Sequence, residues 1–140
     1  METILSILLA VVTLSFVAAL FYYGTQDPIV ELAEGFIKIK GGVFYSAKIE
    51  FKDISVIETI SALPKIILRT NGFSTMRSLR GHFLAKEIGR VVLFVDTKST
   101  PFIYFELNSG KKTFLNFKKP EDTIDCYNAI TNKLKWNSNT

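Results

Sequence analysis

The apolar positions of this chain follow two periods, and the change comes near residue 36. From Ile4 to Tyr23 no residue is charged, and only Ser6, Thr13 and Ser15 interrupt the apolar run before its closing tyrosines. A helix of that length rises ~30 Å, the thickness of a bilayer's hydrocarbon core, and it satisfies its own backbone hydrogen bonds in lipid. Tyr22 and Tyr23 stand where an interfacial aromatic belt belongs, and Gly24 with Asp27-Pro28 marks the exit. The pattern predicts a transmembrane helix over residues 4–23 and a juxtamembrane linker over 24–35. Two other readings compete. A buried core helix is rarely apolar on every face for so long. A cleaved signal peptide has small residues available at Val17-Ala18-Ala19, but no positive charge precedes the run, and the run is longer than a usual signal core.

After residue 36 the period becomes two. Ile37 and Ile39 alternate with Lys38 and Lys40, and Gly41-Gly42 reads as a turn. Val43, Tyr45, Ala47, Ile49 and Phe51 then share one strand face. Further strands are predicted at 54–60, 65–70, 77–84, 90–96, 102–107 and 111–117. Asn71-Gly72 reads as a hairpin turn, Thr97–Pro101 as a turn, and Asn108-Ser109-Gly110 as another. No helix separates these strands, which argues against a parallel βαβ sheet. One helix closes the chain. Pro120 suits its first position, Glu121 and Asp122 its positive end, and Lys133 and Lys135 its negative end. Ile124, Tyr127, Ile130 or Thr131, and Leu134 form its apolar stripe, which Trp136 closes. The expectation is a mainly β (α+β) domain over 36–136, an antiparallel barrel or two orthogonal antiparallel sheets capped by a C-terminal helix, with a frayed tail at 137–140. Its expected core is Ile37, Ile39, Tyr45, Ile49, Val92, Phe94, Ile103, Phe105, Leu115, Phe117, Ile124, Tyr127 and Leu134.

Composition changes this picture through charge. The 140 residues carry a formal net charge of +4, but every lysine and arginine lies at or after Lys38. Residues 36–140 hold 17 basic and nine acidic side chains, a net of +8. Lys38 and Lys40 are the basic residues nearest the apolar run, so the positive-inside rule places the domain in the cytoplasm and the chain in the cell membrane as a single-pass protein. Ser6 with Ala10, and Ser15 with Ala19, are small residues four apart, a spacing that lets helices approach closely.

Several pieces, taken in order, resemble the bacterial pleckstrin-homology-like family of small domains. They are Phe36-Ile37-Lys38-Ile39, Ile49–Ile54, Arg69-Thr70-Asn71-Gly72-Phe73, Gly81-His82-Phe83, Val91–Val95, the Phe102–Asn108 hairpin into Lys112–Phe117, and the Pro120–Leu134 helix. The resemblance covers about residues 36–135. It implies two near-perpendicular antiparallel sheets with a C-terminal helix, and it implies little about activity. In eukaryotic members, basic residues around an early hairpin can bind phosphoinositide head groups, and Lys38, Lys40 and Lys48 are the nearest analogues here.

Catalytic chemistry finds no foothold. The single cysteine, Cys126, and single histidine, His82, exclude a Cys/His zinc site and an internal disulfide. His82 sits inside a predicted strand with no serine motif around it, and Cys126 lies beside the helical stripe as a packing residue. The acidic residues are scattered, and no Gly-rich phosphate loop precedes a helix. No catalytic residue, cofactor or metal is expected. A basic stretch remains: Lys65, Arg69, Arg77, Arg80, His82, Lys86 and Arg90. Brought together, these make a candidate basic binding face, with Lys65, Arg69, Arg77, Arg80, Lys86 and Arg90 as its members. Near an anionic leaflet each such residue is worth about 1 kcal/mol. The bland alternative is a set of solvated strand faces. Nucleic-acid binding is disfavoured, because the phenylalanines have an ordinary core explanation. The expected function is that of a membrane-anchored, non-catalytic interaction module engaging a protein partner, with direct binding of anionic lipid head groups as the alternative.

Overall fold

A computed structural model describes residues 1–138. Helix α1 (Glu2–Thr25) is followed by β1 (Ile29–Leu32), β2 (Phe36–Gly41), β3 (Tyr45–Glu50), a 3-10 turn at Phe51–Asp53, β4 (Ile54–Ile60), β5 (Ile66–Ser74), β6 (Ser78–Ala85), β7 (Gly89–Asp96), β8 (Phe102–Leu107), β9 (Lys112–Leu115) and helix α2 (Pro120–Ser138). Helix α1 is long and apolar enough to cross a membrane, and along it only Gly24 is buried. It has no core-facing stripe, as its all-round apolar sequence requires.

The strands form two sheets, one of three strands in the order β1-β2-β3 and one of six in the order β4-β8-β9-β7-β6-β5. Strand β1 lies within the stretch expected to be a linker. Its Glu31 stands opposite Lys38 and ion-pairs with Lys40 at 3.7 Å. The antiparallel expectation holds for every pairing but one: β7 and β9 run parallel, so the larger sheet is mixed. The chain leaves β7, skips one strand position to form β8, and the 108–111 turn returns β9 into the gap. Asn116 closes this crossover from the interior. It donates to the Asp96 and Ser99 carbonyls at 3.0 and 2.9 Å and accepts the Asp96 N–H at 2.6 Å, satisfying backbone groups that no strand partner reaches.

The six-stranded sheet is apolar on both faces. On one, Val92, Phe94, Ile103, Phe105 and Leu115 pack with Ile37, Ile39, Ile49 and Phe51 of the smaller sheet and its following turn, and with Ile130 of α2. On the other, Phe83, Val91, Leu93, Val95, Phe102 and Phe114 form a second core. Only residues 61–65 join β4 to β5, the sheet's two edges. Laid flat, six strands put those edges about 24 Å apart, and the connection spans about 20 Å at most. The sheet therefore bends around its second core. No pairing joins β4 to β5, so it is not a closed barrel.

Other expectations shift locally. Asn71-Gly72 is not a turn; it continues β5 beside a register shift, where Gly72 faces Gly81. A Cβ on Gly72 would meet the Arg80 carbonyl at 2.8 Å, so glycine is needed there for close strand approach. Val43 and Phe44 form the β2–β3 turn instead of a strand. Helix α2 runs through Ser138, so residues 137 and 138 are helical; residues 139 and 140 of the expected tail lie outside the described residues. Of the expected core, Tyr45, Phe117, Tyr127 and Leu134 are half-buried, and Ile124 is 45% exposed. Thr123 takes the interior position, its Oγ1 accepting the Phe117 N–H at 2.9 Å. That bond fixes the rotation of α2 and turns Ile124 outward.

Phe94→Ala is expected to destabilise the domain by about 3–5 kcal/mol. Ile124→Ala is expected to stay within about 0.5 kcal/mol of the parent. Chemical denaturation of the full chain in detergent micelles measures both.

Candidate functional site

Arg80 joins α1 to the β domain. It lies on β6, and its side chain is 1% exposed. Nη1 donates to the Val95 carbonyl at 2.6 Å and the Leu79 carbonyl at 3.0 Å, and Nη2 donates to the Gln26 carbonyl at 2.8 Å, while Nε has no partner. Helix α1 has no basic residue in its own last turn, so Arg80 supplies the cation that its negative end favours. Burial lowers the guanidinium to about 10, against the pull of Asp27 and Asp96 toward the charged form. It remains a cation at neutral pH.

Three further contacts fix the joint. Asp27 Oδ1 accepts the Lys118 N–H at 2.9 Å. The Phe21 and Phe73 rings meet edge to face, with centroids 5.8 Å apart. Gly24 lies against Phe73 so closely that a Cβ there would stand 2.5 Å from the ring.

Two concavities lie at opposite ends of the β2–β3 hairpin. Beside α1 is a cleft of about 360 Å³, lined on one side by Val17, Leu20, Phe21 and Gly24 and on the other by the 41–45 turn, Arg69, Gly72, Phe73 and Arg80. At the far end is an apolar groove of about 750 Å³ between α2 and the sheet, lined by Gly35, Phe36, Glu50, Phe51, Lys52, Leu134 and Lys135. Strand β2 separates them by five residues, about 17 Å. The next residue along α2, Trp136, is 71% exposed. Neither concavity is legible in the sequence, because each takes residues from elements distant in the chain; Trp136, expected to close the apolar stripe of α2, is exposed instead.

The expected basic face is divided. Arg80 is not on it, because the fold buries that side chain at the joint. Arg77 sits at the β5–β6 turn and pairs with the buried Asp96 at 2.8 Å. Arg69 lines the cleft beside α1. Lys65, Lys86 and Arg90 gather at the other end of β5 and β6, where the Lys86 N–H donates to the Lys65 carbonyl at 2.8 Å. His82 is exposed and borders a further concavity of about 430 Å³ with Arg90 and Lys111. Lys38 and Lys48 stand opposite each other on the smaller sheet, with the Lys48 Nζ 4.3 Å from the Phe36 ring centre.

The titratable groups are dispersed. No group of three or more His, Cys, Asp or Glu residues could hold a metal ion among the described residues. Burial raises the Cys126 thiol to about 11, which disfavours the nucleophilic thiolate. Burial, with the Glu106 carboxylate 3.0 Å away, raises the Tyr104 hydroxyl to about 12. The molecule is thus an α+β protein with an apolar N-terminal helix locked to a two-sheet domain. No family model, curated protein or solved structure matches the chain.

Gly24→Ala favours helix intrinsically but collides with Phe73, so it is expected to loosen the joint by about 1–3 kcal/mol. Proteinase K cleavage within residues 25–28 reads this as a faster rate, with Gly35→Ala, where a Cβ meets nothing within 4 Å, as the unchanged control. Alkylation of Cys126 in the folded chain is expected to reach its rate midpoint near pH 11, returning to the ordinary 9.0 in denaturant. A folded-state midpoint at 9.0 contradicts this burial argument.

Proposed function

We propose that this protein is a single-pass membrane-anchored interaction module without a catalytic role, and that its β domain engages a protein partner at the membrane surface. The far groove carries this reading. Its lining is mainly apolar, it lies about 17 Å along β2 from the point where α1 meets the domain, and the residue that follows its Leu134 and Lys135 in the chain, Trp136, is exposed. Tryptophan and a desolvated apolar pocket are the features that concentrate binding energy at protein interfaces. Helix α1 serves as the anchor, and the basic residues following it favour a cytoplasmic domain in the cell membrane. Anchoring makes partner capture effectively intramolecular in the plane of the membrane, so a modest groove suffices. The two sheets and C-terminal helix support a pleckstrin-homology-like assignment, from which the parallel β7–β9 pair departs.

The alternative, anionic lipid head groups on a basic face, retains the Lys65, Lys86 and Arg90 cluster. It loses Arg80 to the interior and Arg77 to Asp96. The dispersal of titratable groups supports the non-catalytic reading.

A photoreactive side chain at Phe36 or Trp136 of the full chain in native membranes is expected to crosslink to a protein. The same probe at Glu58, an exposed position on β4, is expected to give no such adduct. Leu134→Asp is expected to weaken the adduct about tenfold or more by placing a charge in the groove. Equal labelling from all three positions sinks the groove assignment.

A further inference from the structure

The cleft beside α1 has one wall that belongs to the apolar helix itself. Val17, Leu20 and Phe21 line it, so it opens onto whatever medium surrounds that part of α1. If α1 spans a bilayer, as the proposed function holds, that medium near Val17 is acyl chain. The opposite wall is apolar as well. Val43 and Phe44 sit at the β2–β3 turn with 56% and 73% of their surface exposed, although the domain has two cores that could have taken them. A Cβ placed on Gly42, at φ +72°, would lie 3.4 Å from the Gly24 Cα, so this turn abuts the last turn of α1. The exposed Val43 and Phe44 therefore stand at the level where α1 leaves the lipid.

The cleft also holds charge. Of its two guanidiniums, Arg80 is consumed by the carbonyls of Gln26, Leu79 and Val95. Arg69 is exposed, its one hydrogen bond is a 3.4 Å contact to Ser74 Oγ, and no described carboxylate pairs with it. An unpaired guanidinium at the rim of an apolar cleft suits a phosphate, which it can hold by two parallel hydrogen bonds. The volume of about 360 Å³ lies within the range of small-molecule sites.

We propose that the cleft between α1 and the β2–β3 turn seats a phospholipid from the leaflet where α1 ends, with its acyl chain against Phe21, Phe44 and Phe73 and its phosphate on Arg69. The occupant is a membrane lipid and not free phosphate, because both walls of the cleft are apolar and have no use for an inorganic ion. The inference rests on α1 being a membrane anchor. It adds a second membrane contact, which fixes the tilt of the domain and keeps the far groove pointed away from the lipid.

The test uses the full chain reconstituted in phosphatidylcholine vesicles, in a Trp136→Phe background so that one tryptophan reports. With Phe44→Trp, vesicles carrying brominated acyl chains are expected to quench emission by about half or more, as for a ring in contact with lipid chains. Glu58→Trp is expected to stay unquenched. In native mass spectrometry of the chain released from the vesicles, Arg69→Gln is expected to reduce retained phospholipid by about tenfold or more, the loss of the charge-assisted pair of hydrogen bonds, while Arg69→Lys, which keeps the charge without the paired geometry, falls in between. Retained lipid that about 10 mM inorganic phosphate displaces, roughly a ten-thousandfold excess over a micromolar binder, overturns the assignment to lipid. Flotation of the same samples separates the two ideas. If the chain floats with the vesicles but the Phe44→Trp variant is quenched no more than the Glu58→Trp variant, the lipid seat alone is overturned. Chain that does not float overturns the anchor and the seat together.

Discussion

A guanidinium buried between a helix end and two strands is an expensive arrangement. Stripping an arginine of water costs several kcal/mol unless its donors are met and its charge balanced. Here Nη1 and Nη2 donate to the backbone carbonyls of Leu79, Val95 and Gln26 while Nε is left without a partner, and Asp27 and Asp96 supply the balancing charge. Asp96 in turn holds Arg77 and the Lys98 N–H, and its own backbone is held by Asn116. One connected polar network therefore ties the exit of α1, the β5–β6 turn, the end of β7 and the segment after β9. Remove its centre and the helix end loses its cation, and the β7 crossover loses a support.

Around that network the domain must cover a sheet that is apolar on both sides. Its two faces are covered differently. One takes a partner, the smaller sheet with α2. The other bends around its own side chains, because the short β4–β5 connection cannot span a flat sheet. This arrangement leaves both ends of the β2–β3 hairpin as surface features, one against α1 and one against α2. The two concavities thus follow from how the faces are covered, and their separation follows from the length of β2.

Much of the element structure was legible along the chain. The period-two stretch at 36–40 and the continuous apolar runs at 90–96 and 102–107 became strands within a residue or so, and Pro120 with its acidic followers opened α2. Local rules read these because a strand's alternation and a helix's capping are properties of neighbouring residues. The failures share a cause. Asn71-Gly72 has the chemistry of a turn, but it is used for a close approach to Gly81 across β6. Arg80 has the chemistry of a surface residue, but Gln26, 54 positions earlier in the chain, supplies a partner for it inside. Ile124 fits the helical stripe, but Thr123 is drawn inward by the Phe117 N–H.

The sequence by itself determined that an uncharged apolar helix precedes a strongly basic, strand-rich domain closed by one helix. Charge, apolar period and caps are local quantities, and they need no partner to be read. Only the tertiary structure decided which strands are neighbours, which cations are surface and which are structural, and where concave surfaces open. Alternation assigns a residue to a face but not to a neighbour, so it could not insert β9 between β7 and β8. The charge of +8 was visible from the start. Its division into one buried arginine at a joint, one ion-paired arginine at a turn, one arginine at a cleft and a cluster at the far end of β5 and β6 was set by which backbone carbonyls and carboxylates came within reach.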